Sequence, residues 1–187
     1  MPTVRDAPGI AYHHVAVAVS DLAETHRFYT NAMGFELVKA LAAPTDTPGG
    51  WAKHVFYATG ETTEGDAPEL IAFWELHDER MASFDPAIST GLGLEPWVNH
   101  IAFHARDLDD IEDRKKRWLD HGHDVVEIDH GFCVSIYTLD PSRILVEFCT
   151  DTAPYTEADR QHALALIHDG GPELEAPPHP QFHLAPK

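Results

Sequence analysis

The sequence predicts an α+β protein built from two paired βαβββ modules, and three observations predict it. The order strand, helix, strand, strand, strand is legible twice along the chain. The two openings, "HHVAVAVSDL" at 13–22 and "NHIAFHARDL" at 99–108, align residue for residue, with His14 on His100, Val15 on Ile101, Val17 on Phe103 and Asp21 on Asp107. Finally, 187 residues, 43% of them hydrophobic, are enough for one domain with a sizeable core. A repeat of this length implies that neither module buries its sheet face alone, so each covers the other.

In the first module Val15, Val17 and Val19 alternate with His14, Ala16 and Ala18, the period of a strand. Ser20-Asp21 stops that strand and can cap the helix "LAETHRFYTNAM", which Gly34 ends. Three strands follow: "FELVKA", then "WAKHVFYAT" after the loop "APTDTPGG", then "ELIAFWEL" after the turn "GETTEGDAP". The second module repeats the order with "VNHIAFHARDL", the helix "DDIEDRKKRWLDHG", and the strands "DVVEI", "GFCVSIYTL" and "RILVEFCT", with a tight turn at Asp140-Pro141. The modules thus span about 10–76 and 98–150, joined by an irregular connector over 77–97. Residues 151–187 add one amphipathic helix, "TEADRQHALALIH", capped by Thr156 with Asp159 three residues on, and a Pro-rich tail expected to be extended or mobile.

Composition removes several classes of function. Thirteen basic against 31 acidic residues leave a formal charge of -18, which repels nucleic acid and anionic membrane and favours solubility. No apolar run reaches the ~20 residues of a membrane span, and "MPTVRDAPGI" has no signal-peptide core, so a cytoplasmic location is expected. Two cysteines, Cys133 and Cys149, make no disulfide framework.

The chemistry lies in three residues. By the period of two, Glu147 shares a face with Leu145 and Cys149, while Val146 and Phe148 face the other way. A carboxylate on a buried face is costly unless it is paired or bound to a cation. Taken singly, a His at a strand start is more often a core or surface residue. His14 and His100 at equivalent places, with Glu147 near the end of the second repeat, instead make the two-His-one-carboxylate set that holds Fe(II) or Mn(II) with open coordination positions.

The paired modules, the "HHVAVAVSDL…FYTNAMGFEL" opening and the "DHGFCVSIYTLDPSRILVEF" closing stretch resemble the vicinal oxygen chelate superfamily over residues 10–150. That group includes glyoxalases, bleomycin and fosfomycin resistance proteins and type I extradiol dioxygenases, and the resemblance implies one domain with a cup-shaped mixed sheet. In the extradiol branch the metal ligands match His14, His100 and Glu147, with His13 turned outward. A Tyr ten residues before the Glu matches Tyr137, a His before that Tyr matches His130, and an active-site His near the start of the third strand matches His54. The resemblance therefore implies Fe(II) and O2 acting on a small aromatic diol, with His54 as acid/base, His130 and Tyr137 as orienting groups, and a homodimer. Mn(II), Ni(II), Co(II) and Zn(II) are the alternative metals.

Two other readings stay open. A glyoxalase-type lyase or isomerase needs a fourth ligand, a Glu on the fourth strand. Laying "ELIAFWEL" on "RILVEFCT" puts Phe73 at the place of Glu147, although a shifted register brings in Glu69 or Glu75. A bleomycin-resistance-like drug-binding protein would suit the acidic charge and needs no metal. This chain also has "DPSR" where the family commonly has Gly in the last place. Arg143 in a left-handed conformation there costs ~1 kcal/mol relative to Gly, unless the turn differs or the residue serves a substrate anion. Trp51, Phe56, Phe73, Trp74 and Trp97 are the candidate pocket walls.

Overall fold

A computed structural model describes residues 12–60, 69–81 and 83–187, so the start of the chain and most of the turn after residue 60 lie outside the described residues. The repeated βαβββ order is present in full. The first module has β1 (His14–Val19), α1 (Leu22–Arg27), β2 (Glu36–Pro44), β3 (Trp51–Ala58) and β4 (Leu70–His77). The second has β5 (His100–His104), α2 (Leu108–Asp120), β6 (Val125–Asp129), β7 (Cys133–Leu139) and β8 (Leu145–Asp151). After these come α3 (Glu157–His168) and a short β9 (Gln181–His183).

Both helices start on the aspartate that the repeat aligned. Asp21 Oδ1 accepts from Glu24 N at 2.9 Å and Asp107 Oδ1 from Asp110 N at 2.8 Å, satisfying backbone donors that the first turn leaves free. α1 runs on into a π-helical turn over Phe28–Ala32, and Gly34 closes it with φ of 79°. A Cβ at Gly34 would lie 2.7 Å from the Arg117 guanidinium, whose Nε reaches across from the second module to donate to the Asn31 carbonyl. A side chain there would strain the backbone and displace the Arg117 guanidinium from the Asn31 carbonyl.

Each module makes its own mixed sheet, in the order β1-β4-β3-β2 and β5-β8-β7-β6-β9. The first and last strand of each module pair in parallel, and the other neighbours pair antiparallel. The α+β class and the two-module order are as the sequence predicts. Within one chain, however, the two sheets remain separate. They pack through their helix-bearing faces into one core that joins Val19, Tyr57 and Phe73 of the first module to Trp118, Val146 and Phe148 of the second. Phe35 carries the seam, with its ring 5.0 Å from Phe103 and 6.3 Å from Phe148. Tyr29, fully buried, donates to Asp140 Oδ2 across the same seam.

The connector is irregular, as expected, and is held by its own polar contacts. Asp78 accepts from the hydroxyls of Thr45 and Thr47. Arg143 does take the left-handed conformation, with φ of 62°. Its guanidinium pairs with Asp85 of the connector at 2.6 Å. Arg143→Gly removes the steric cost and gives up an exposed ion pair, whose screened contribution is the smaller. Thermal unfolding should therefore shift upward by about 2–4 °C, and an unchanged or lower midpoint would mean that the clasp outweighs the strain.

Beyond 151 the Thr156–Asp159 capping box forms as predicted. The helix it starts buries none of its residues, leaving Leu164, Leu166 and Ile167 exposed. The tail ends as an edge strand: β9 pairs with β6, and Ala185 N donates to Asp124. No helix among the described residues is long and apolar enough to cross a membrane.

Candidate functional site

Side-by-side residues of paired strands point to the same face, so the register locates the site. In the second sheet Val146 and Phe148 enter the core, which turns Glu147 to the opposite face beside Ala102 and Tyr137, with His100 two residues before Ala102. In the first sheet Val17 and Val19 pack on the core, which turns His14 outward on the face of Trp74 and His54.

The structure brings together His100, Glu147, Tyr137 and His130. Glu147 is 5% exposed. Tyr137 donates its hydroxyl to Glu147 Oε1 at 3.1 Å, and so accepts from His130 Nε2, also at 3.1 Å. Burial first, and the Glu147 charge with it, raises the Tyr137 phenol well above its ordinary value, so it stays a neutral donor. His100 Nδ1 faces the Trp97 carbonyl at 3.0 Å and must donate to it, which points Nε2 at Glu147 Oε2, also 3.0 Å away. The separation suits two neighbouring ligands of one octahedral ion, since bonds of about 2.1 Å at right angles put donors ~3 Å apart.

His14 belongs to a different cluster. Its Nδ1 lies 2.8 Å from Nδ1 of His13, which is exposed. One imidazole donates and the other accepts, and with His14 as the donor its Nε2 keeps a lone pair. His54 lies 6.3 Å from His14 between ring centroids, stacked on Trp74 at 3.7 Å and tilted on Phe56 at 4.1 Å. It is 9% exposed, and its Nε2 is buried without a hydrogen-bond partner. Burial, and then the nearby His14, lowers its pKa, keeping the ring neutral. Among the described residues no three His, Cys, Asp or Glu side chains gather as one metal-holding group. The expected convergence of His14 with His100 and Glu147 is therefore absent within one chain. The physical reason is the shared core, because both ligand faces turn away from it.

The register also corrects the fourth-ligand argument. His14 pairs with Leu70 and His100 with Leu145, so the place of Glu147 is taken in the first module by Ala72, not Phe73. Phe73 is fully buried in the core. Glu75 lies on Phe73's side of β4, where it accepts from Leu22 N and Lys53, and Glu69 precedes the strand. Of the expected pocket walls, Phe56 and Trp74 face His54, Trp51 stacks on His77 on the other side, and Trp97 serves through its carbonyl. Sequence reasoning missed the Trp97 carbonyl, because a backbone acceptor leaves no residue-type signal.

Two βαβββ modules, each turning a histidine-bearing face away from a common core, define a paired-module fold. The chain matches the Glyoxalase/Bleomycin resistance protein/Dioxygenase superfamily over residues 11–148 and belongs to it. A search of curated proteins found no match. Among solved structures, a glyoxylase/bleomycin resistance protein/dioxygenase domain from Frankia is similar at 18% identity and a TM-score of 0.56, covering 75% of this chain and 97% of that one. A variant of the fosfomycin resistance protein FosX from Listeria monocytogenes, complexed with Mn(II) and a dihydroxypropylphosphonic acid, is similar at 21% identity and a TM-score of 0.51, covering 82% and 98%. At these identities the likeness is one of fold.

Proposed function

We propose that this protein is a divalent-metal enzyme, an Fe(II)-dependent dioxygenase that opens the ring of a catechol-like diol. We propose further that its site is completed in a homodimer by His14 of one protomer with His100 and Glu147 of the other. The observation that carries the choice is Ala72 at the place of a fourth carboxylate, which leaves three ligands and open positions for substrate and oxygen. The dimer follows from the two ligand faces, which a two-fold axis can bring together but a single chain does not.

When bound, the metal would supply electron transfer between diol and O2. The protein supplies the rest. Glu147 is fixed by the Tyr137 hydrogen bond, and Tyr137 by His130. His100 is held in the metal-binding tautomer by the Trp97 carbonyl. His54 offers a neutral, unpartnered Nε2 that can take a hydroxyl proton from the substrate and return it. The balance is one diol plus one O2 giving one ring-opened product that keeps all four oxygens, with one ring C–C bond broken.

The test is reconstitution with Fe(II) without oxygen, followed by oxygen uptake against catechol. About one iron per chain, with uptake matched by ring-opened product, is the expected result. Nickel or zinc retention with hemithioacetal isomerisation would mean a glyoxalase-type enzyme. No metal retention would leave a drug-binding protein.

A further inference from the structure

The segment after β8 is anchored at both ends and exposed between them. Every residue from 151 to 182 is exposed. At its root Thr152 N and Ala153 N donate to the Phe132 carbonyl, and the Tyr155 hydroxyl donates to Asp151 Oδ1 at 3.2 Å. At its far end β9 lies on β6, and Ala185 N donates to Asp124. This arm lies outside the family match, which ends at residue 148.

Within the arm, α3 lacks the packing that a helix of its kind needs. A helix of 12 residues is marginal in water and takes most of its stability from tertiary contacts. Ala163, Leu164, Ala165, Leu166 and Ile167 run in succession, more than one full turn, so apolar side chains point all round its second half. Such a helix belongs in a buried setting, yet α3 buries none of its residues on its own chain.

Both anchors lie on the face that carries His100 and Glu147. Asp151 is four residues along β8 from Glu147 and so points to the same side. Ala102, Glu147, Tyr137, Val126 and Phe182 are successive partners across β5, β8, β7, β6 and β9, which puts Phe182, 71% exposed, in one row with the site. The arm therefore leaves and rejoins the body on the face that receives the other protomer in the proposed dimer.

We infer that residues 152–180 clasp a second copy of this chain, the apolar half of α3 packing on the protomer that seats over His100 and Glu147. The inference rests on the two-protomer site proposed above and adds the element that holds it together. Sedimentation of the full-length wild type and of the double variant Leu164→Gln, Ile167→Gln tests it. Gln is a good helix former, so the change removes apolar contact and keeps α3. The wild type should be a dimer, and the variant's dissociation constant should rise roughly tenfold or more. Hydrogen exchange on the wild type reads the same contact without a substitution. The α3 amides should be protected in the dimer and lose protection on dilution to monomers, while those of β7 and β8 keep theirs. An unchanged dissociation constant in the double variant overturns the inference, as do α3 amides that exchange equally fast in dimer and monomer. A monomeric wild type overturns it whatever its oxygen uptake. Dissociation of the double variant, with His14→Ala and Glu147→Gln subunits failing to complement each other, would leave the clasp standing and remove the shared metal site. Complementation with an unaffected dimer would do the reverse.

Discussion

Mixing His14→Ala protein with Glu147→Gln protein, each inactive alone, should restore about a quarter of the wild-type rate after the subunits exchange. The proposed site takes His14 from one protomer and His100 with Glu147 from the other, so a mixed dimer holds one intact site and one doubly impaired one. Random exchange makes half the dimers mixed, each with one of two sites working. The expectation rests on the core: Val17 and Val19 on one side and Val146 and Phe148 on the other are committed to it, which fixes both ligand faces outward. Gln at 147 keeps the volume of Glu and an acceptor for Tyr137, so loss of activity there reads as loss of a charged ligand rather than of the fold. A mixture no more active than its parents would show that the site closes within one chain or does not use these residues. Iron content gives a second readout, near zero in each parent and recovered in the mixture.

Much of the fold was legible because strand periodicity is a local property. The alternation of Val15, Val17 and Val19 assigns His14 its face, and that of Val146 and Phe148 assigns Glu147 its own, with no knowledge of what packs where. The aligned aspartates were legible for the same reason, since a capping carboxylate acts within three residues. What failed was non-local. Matching β4 to β8 by strand length misplaced the first module by one residue, because parallel register is set by the pairing of β1 with β4, which no turn dictates. Whether two half-sites meet depends on how the sheets pack through Phe35 and Tyr29, and strand patterning is the same for either arrangement. The strand β9, three residues in a Pro-rich tail, was too short to carry a period.

That packing has a titratable centre. Asp140, 4% exposed at the β7–β8 turn, accepts from Ser142 N and Ile144 N on one oxygen and from the Tyr29 hydroxyl on the other. Burial pushes its carboxyl up to about 6 despite these three donors. A folded-state pKa above the unfolded value means that this group's contribution to stability is full below about pH 4 and is lost as pH rises through about 6. The change amounts to roughly 3 kcal/mol, at 1.36 kcal/mol for each pKa unit. Asp140→Asn keeps an oxygen for the two backbone donors and turns its NH2 toward the Tyr29 oxygen, which can accept. It resembles the protonated acid at every pH. Its unfolding free energy should match the wild type at pH 4 and exceed it at pH 7.5, whereas Asp140→Ala, which strands three buried donors, should lose about 2–4 kcal/mol at pH 4 and far less at pH 7.5, where the wild type has already given up the carboxyl's contribution. Denaturant melts at the two pH values separate the cases. Should Asp140→Asn fall below the wild type at pH 7.5, the ionised carboxylate would be the stabilising form and the seam between the modules would be held by charge.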